Sequence, residues 1–140
     1  MTTLVFKINI EQYNDLLSRF PNLEKNSHVG RYAFEVAKLY FLAQDTNAVF
    51  TPCTTGGDVG VMCNGRYEEF EVKGTADPDI CFQKLKVSSK PCHDALISGM
   101  RLIRITCIGK LEMKIHFMKH QEDFILIQEP RWAVVKPRKS

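Results

Sequence analysis

Asp58, Glu71 and Lys73 are the residues whose types and spacing could do chemistry. They stand in Gly56-Gly57-Asp58-Val59-Gly60-Val61-Met62-Cys63, then Asn64-Gly65, then Arg66-Tyr67-Glu68-Glu69-Phe70-Glu71-Val72-Lys73-Gly74-Thr75. Asn-Gly between two strand-like runs is a strong hairpin signal. On a strand, residues two apart share a face, so Glu71 and Lys73 point one way and Phe70 and Val72 the other. Closing the hairpin brings Asp58 beside them. Two carboxylates and an ammonium at one sheet edge can hold Mg²⁺ and activate a water for phosphodiester cleavage.

The elements that must position these groups are legible in outline. Tyr13, Leu16, Leu17 and Phe20 have helical spacing over Glu11 to Phe20, and Pro21 stops the helix. A second helix runs from Gly30 to Ala43, with Ala33, Val36, Ala37 and Tyr40 on one face. Asn47 to Pro52 reads as a short strand, followed by the hairpin. Ile80 to Val87 alternates imperfectly and reads as a strand. Ser88 or Ser89 caps a helix to about Ser98, with Pro91 in its first turn and Gly99 at its end. Leu102 to Ile108 and Leu111 to Phe117 read as strands around a Gly109-Lys110 turn, and Phe124 to Gln128 as a last short one. This order argues an α/β or α+β domain with helices around one central mixed sheet.

The 140 residues make one domain, with enough chain to bury a core without disulfides or a structural metal. It divides into a helical extension (1–27), a core (28–108), and further strands with a basic tail (109–140). A net charge of +3 permits a nucleic-acid partner without arguing for one. The cluster Lys136-Pro137-Arg138-Lys139 is either a solvated terminus or a phosphate contact. No run approaches the roughly 18 apolar residues of a membrane span, and no leader is evident. Cys53, Cys63, Cys81, Cys92 and Cys107 are odd in number and form no CxxC pair, so reduced thiols in an intracellular protein are expected.

With Asp58, the twelve-residue gap across the hairpin, and Glu71-Val72-Lys73, the chain resembles the PD-(D/E)xK nuclease superfamily over residues 28–108. The run Glu71-Val72-Lys73-Gly74-Thr75 is similar to the branch of nuclease-like domains of the NO VEIN type. The resemblance implies a restriction-endonuclease-like fold and a Mg²⁺-dependent endodeoxyribonuclease, with Mn²⁺ as a substitute ion. It implies Asp58, Glu71 and the Val72 carbonyl as metal ligands, and Lys73 as the residue that orients or deprotonates the attacking water. Glu35 would be a further acid from the preceding helix. Gln83 would help hold the site from the following element, with Lys84 facing it instead if the register differs by one. DNA is the implied substrate, and cutting both strands implies a homodimer. Gly57 stands where the superfamily often has proline.

Blander readings exist for each of these residues. Glu71 and Lys73 can form a surface salt bridge, Asp58 can be a turn residue, and the same fold can serve as a silent module that binds nucleic acid or a partner protein. Other constellations are weaker. His116 and His120 suit zinc only on a helix, and His116 alternates in a strand. Cys92-His93-Asp94 is contiguous, which points neighbours apart. Gly56-Gly57 lacks the lysine of a phosphate-binding loop. Trp132 is expected to pack over the core.

Overall fold

Asn64 and Gly65 adopt φ of 51° and 76°, the left-handed pair that a two-residue hairpin turn requires. They join strands Val59–Cys63 and Arg66–Gly74, paired antiparallel from Cys63↔Arg66 to Val59↔Phe70. The structure is a computed structural model that describes residues 1–129 and 135–137. In chain order it contains β1 (Thr2–Lys7), α1 (Ile10–Arg19), α2 (Asn26–Gln44), β2 (Val49–Thr51), β3 (Val59–Cys63), β4 (Arg66–Gly74), a 3-10 turn (Phe82–Lys84), α3 (Lys90–Ile97), β5 (Arg101–Thr106) and β6 (Glu112–Met118). The fold is α+β: a six-stranded mixed sheet of order β1-β6-β5-β4-β3-β2, flanked by helices. Only β4 and β5 are parallel, and α3 lies in the crossover between them.

Alternation along the strands sorts the side chains into two cores. Phe70 and Val72 of β4, Ile103 and Ile105 of β5, and Met113 and Ile115 of β6 pack with Leu16 of α1 and Tyr32, Ala33 and Val36 of α2. On the other face, Leu102 and Met118 pack with Cys92 and Leu96 of α3. A capping box starts α1: Asn9 accepts from the Gln12 amide at 2.8 Å, and the Gln12 side chain accepts from the Asn9 amide at 2.9 Å. Ser89 caps α3, accepting from the Cys92 amide at 3.2 Å, and Gly99 follows at φ 113°.

Four expectations need correction. Residues 1–27 are no mere helical extension, because β1 pairs with β6 and completes one edge of the sheet. The second helix begins at Asn26 rather than Gly30, since burial of Val29 against the sheet outweighs the glycine. Ile80 to Val87 forms no strand: both sides of β4, β5 and β6 are already paired, so the segment crosses the face as a 3-10 turn and buries Ile80, Leu85 and Val87 against α3's core. Phe124 to Gln128 likewise makes only the isolated bridge Phe124↔His120. Trp132, Arg138 and Lys139 lie outside the described residues. The five cysteines are free thiols. No helix among the described residues is long and apolar enough to cross a membrane.

Candidate functional site

Asp58 reaches its place through a narrow passage. Glu69 accepts from the amides and hydroxyls of Thr54 and Thr55 at 2.6–3.2 Å, which fixes the chain leaving β2. Those bonds hold the Glu69 carboxyl below the usual carboxylate range. A side chain at Gly56 would collide with the Pro91 and Cys92 backbone of α3, and one at Gly57 would lie 2.9 Å from the Phe70 carbonyl. The two glycines let the chain slip between α3 and β4. Asp58 then extends the hairpin: its amide donates to the Phe70 carbonyl at 2.8 Å, and its Oδ2 accepts from the Val72 amide at 2.7 Å.

This pairing sets Asp58 beside Glu71. Glu71 is 5% exposed and accepts a hydrogen bond from the Cys92 thiol of α3. Burial pushes its carboxyl up to about 7, and the neighbouring Asp58 adds to the shift. Burial also pushes the Cys92 thiol up to about 12, with Glu71 adding to it, so Cys92 is a donor and no thiolate nucleophile. Lys73 is half-buried and, with Asp58 and Val72, lines a cleft of about 1460 Å³ at the end of β4. Glu71 lies behind Asp58 and is not among the lining residues.

The titration of Glu71 has a measurable consequence. Between its ordinary value of 4.5 and about 7, the native protein holds a proton that the unfolded chain has released. The native state then binds more protons, so this group's contribution falls as pH rises through that window. Glu71→Gln is expected to remove the fall in the metal-free protein. At about pH 8 the variant should be more stable than the parent by roughly 1–3 kcal/mol, and near pH 4 the gap should close. Urea melts at the two pH values check this; a parent-to-variant gap that does not change with pH contradicts a raised Glu71.

The other candidates divide. Glu35 lines the cleft from α2, but Arg19 pairs with it at 3.2 Å and Lys38 at 3.9 Å. Gln83 does not reach the site; it falls in a separate groove with Pro78, Phe82 and His116. Lys84 and Lys86 of the same segment face the cleft instead, because a 3-10 turn replaces the strand alternation. Lys84 pairs with Asp77 at 2.8 Å, and this bond with that of Thr75 holds the Asp77 carboxyl down at about 2. Arg104, from β5, also lines the cleft and is 2% exposed. Its signal in the sequence is a lone charge inside the apolar run Leu102-Ile103-Arg104-Ile105.

His116 is buried between the hydroxyls of Thr3 at 2.9 Å and Thr106 at 3.3 Å, while His120 stacks edge-on to Phe124. His93 bonds Asp94, away from the buried Cys92. Among the described residues, no group of three or more His, Cys, Asp or Glu side chains is arranged to hold a metal ion. The fold and site thus define an α+β domain with an acid pair and a lysine at one end of its central hairpin. No family model, no curated protein and no solved structure matches the chain.

Proposed function

We propose that the protein is a metal-dependent nuclease that hydrolyses DNA phosphodiester bonds, of the PD-(D/E)xK type. The observation that carries this reading is the bond from the Val72 amide to Asp58 Oδ2, which aligns Asp58 with Glu71 and leaves Lys73 on the same cleft. The donor set fits Mg²⁺, which takes one or two carboxylates and keeps several waters. A divalent cation would offset the burial and the neighbouring Asp58 that hold the Glu71 carboxyl up. Asp58, Glu71 and the Val72 carbonyl would hold the ion. When bound, it would lower the pKa of water and polarise a phosphoryl oxygen.

The chain's own groups supply the rest. To hold the ion, Glu71 would release its proton to solvent. Lys73 orients the attacking water and offsets charge developing on the phosphate. The cleft lining carries the cations Arg19, Arg31, Lys73, Lys84, Lys86 and Arg104 against the acids Glu24, Glu35, Asp58 and Asp77, a modest positive excess that suits a polyanion. Cutting both strands takes two such sites, so a two-fold homodimer belongs to the proposal. The test is digestion of plasmid and short duplex DNA with Mg²⁺, with Lys73→Ala alongside. Cleavage by the parent and a loss of about 100-fold or more in the variant are expected; equal rates in both discard this role for Lys73.

One observation favours a second reading, a silent module that binds nucleic acid or a partner protein. Glu71 is sealed under α3 and held by Cys92, so a ligand role requires it to exchange a thiol partner for a cation. Mn²⁺ titration separates the two. Binding that Glu71→Ala abolishes supports the nuclease; no binding at millimolar Mn²⁺ supports the module.

A further inference from the structure

Lys73 and Arg104 are register partners in the parallel pairing of β4 and β5. Two cations therefore stand as cross-strand neighbours on one face of the sheet. Like charges so placed repel, and the arrangement calls for a counter-charge. Glu71 acts on Lys73, but among the described residues no carboxylate forms an ion pair with Arg104. Asp77, whose charge Arg104 feels, is already bound by Lys84 and Thr75.

Arg104 is also incompletely satisfied. Its Nε donates to the Ile80 carbonyl at 2.9 Å and its Nη1 to the Gly74 carbonyl at 3.0 Å. Nη2 is buried and has no hydrogen-bond partner among the described residues. A charged donor left empty in the interior is costly, and a guanidinium fork matches the oxygens of a phosphate. Lys84 and Lys86 reach the same cleft from the segment that covers Arg104. That segment is held by the Ile80 carbonyl and by the Lys84–Asp77 and Lys86–Glu129 pairs rather than by strand pairing, and the proposed site requires it to shift and expose Nη2.

We infer that Lys73 and Arg104 together form an oxyanion site that takes the scissile phosphate of the substrate, with Lys84 and Lys86 closing over it. The inference rests on the nuclease reading only for the molecule that carries the phosphate; the anion site follows from the cation pair. Arg104 supplies a fixed Nη2 donor, its Nε and Nη1 being held by backbone carbonyls, and Lys73 the mobile charge. Glu71 lies two residues before Lys73 on the same strand face, which places the phosphate next to the acid pair.

Inorganic phosphate tests this without any cleavage. It is titrated into the metal-free protein at constant ionic strength, while the arginine Nε–H resonances of ¹⁵N-labelled protein are followed. Saturable binding that moves the Arg104 resonance is expected. Arg104→Lys and Lys73→Met should each weaken that binding by about tenfold. If Arg104→Lys fails to fold, the Arg104 resonance in the parent and the Lys73→Met titration still decide. The inference is overturned by an absence of saturable binding, by binding that leaves Arg104 unmoved, or by unchanged affinity in Lys73→Met. A protein that binds phosphate there but cuts no DNA keeps this site and loses the nuclease reading. One that cuts DNA with phosphate affinity indifferent to both substitutions does the reverse.

Discussion

Asp58→Asn is expected to leave the protein folded and to reduce metal-dependent cleavage by about a thousandfold. The substitution separates two roles that Asp58 combines. As a structural group, its Oδ2 accepts the Val72 amide at 2.7 Å, and an asparagine carbonyl accepts the same bond. As a charge, it stands beside Glu71 and, in the proposed nuclease, would hold the divalent ion, and an amide cannot replace that. The change also acts on Glu71, whose carboxyl is held up partly by Asp58. With the neighbouring charge gone, Glu71 should titrate lower, though burial still keeps it above an ordinary glutamate. Three measurements check the prediction: thermal melting within a few degrees of the parent, loss of Mn²⁺ binding by calorimetry, and loss of DNA digestion with Mg²⁺. Digestion at the parent's rate by a folded Asp58→Asn protein would remove Asp58 from the mechanism.

Gly56→Ala is expected to destabilise the fold by about 2–4 kcal/mol, a large share of a small domain's stability. The new methyl meets the carbonyl carbon and oxygen of Pro91 and the amide of Cys92, all backbone atoms of α3. A flexible side chain could turn away; a helix backbone cannot without moving the helix. That motion would draw Cys92 from Glu71 and open the α3 core around Leu96, Leu102 and Met118. Gly65→Ala makes the control. Gly65 sits in the turn at φ 76° with nothing within 4 Å of an added Cβ, so its cost is conformational only, about 1 kcal/mol. Guanidinium melts should rank parent, Gly65→Ala and Gly56→Ala in falling stability. A Gly56→Ala midpoint equal to that of Gly65→Ala would show that α3 does not rest on this passage.

The two glycines also show how far the site was legible in sequence. Gly56-Gly57 before an acid signals a tight approach, and Asn64-Gly65 fixes the hairpin register that puts Asp58 opposite Phe70 to Val72. Alternation alone puts Glu71 and Lys73 on one face. Gln83 was beyond reach for a specific reason. Its placement depended on Ile80 to Val87 being a strand, and a strand needs a free edge that the sheet does not offer there. Cys92 gave no usable signal, because its partner Glu71 lies 21 residues away and meets it only when α3 docks. The sequence alone places Thr2 to Lys7 in a helical extension; what makes it a strand is the side of β6 left free by β5, more than a hundred residues downstream.

Local chemistry in the chain was thus enough for the hairpin, the cap of α3, the faces of β4 and the acid–acid–lysine set. These depend on neighbours a few residues apart, whose geometry follows from backbone sterics and side-chain period. The tertiary structure decided that Glu71 is buried, which lysines share the cleft with Asp58, and that Arg104 stands beside Lys73. Those outcomes turn on strand order and helix docking, because burial and charge proximity come from residues distant in sequence. The same acid–acid–lysine set in a different strand order would meet other neighbours and titrate differently.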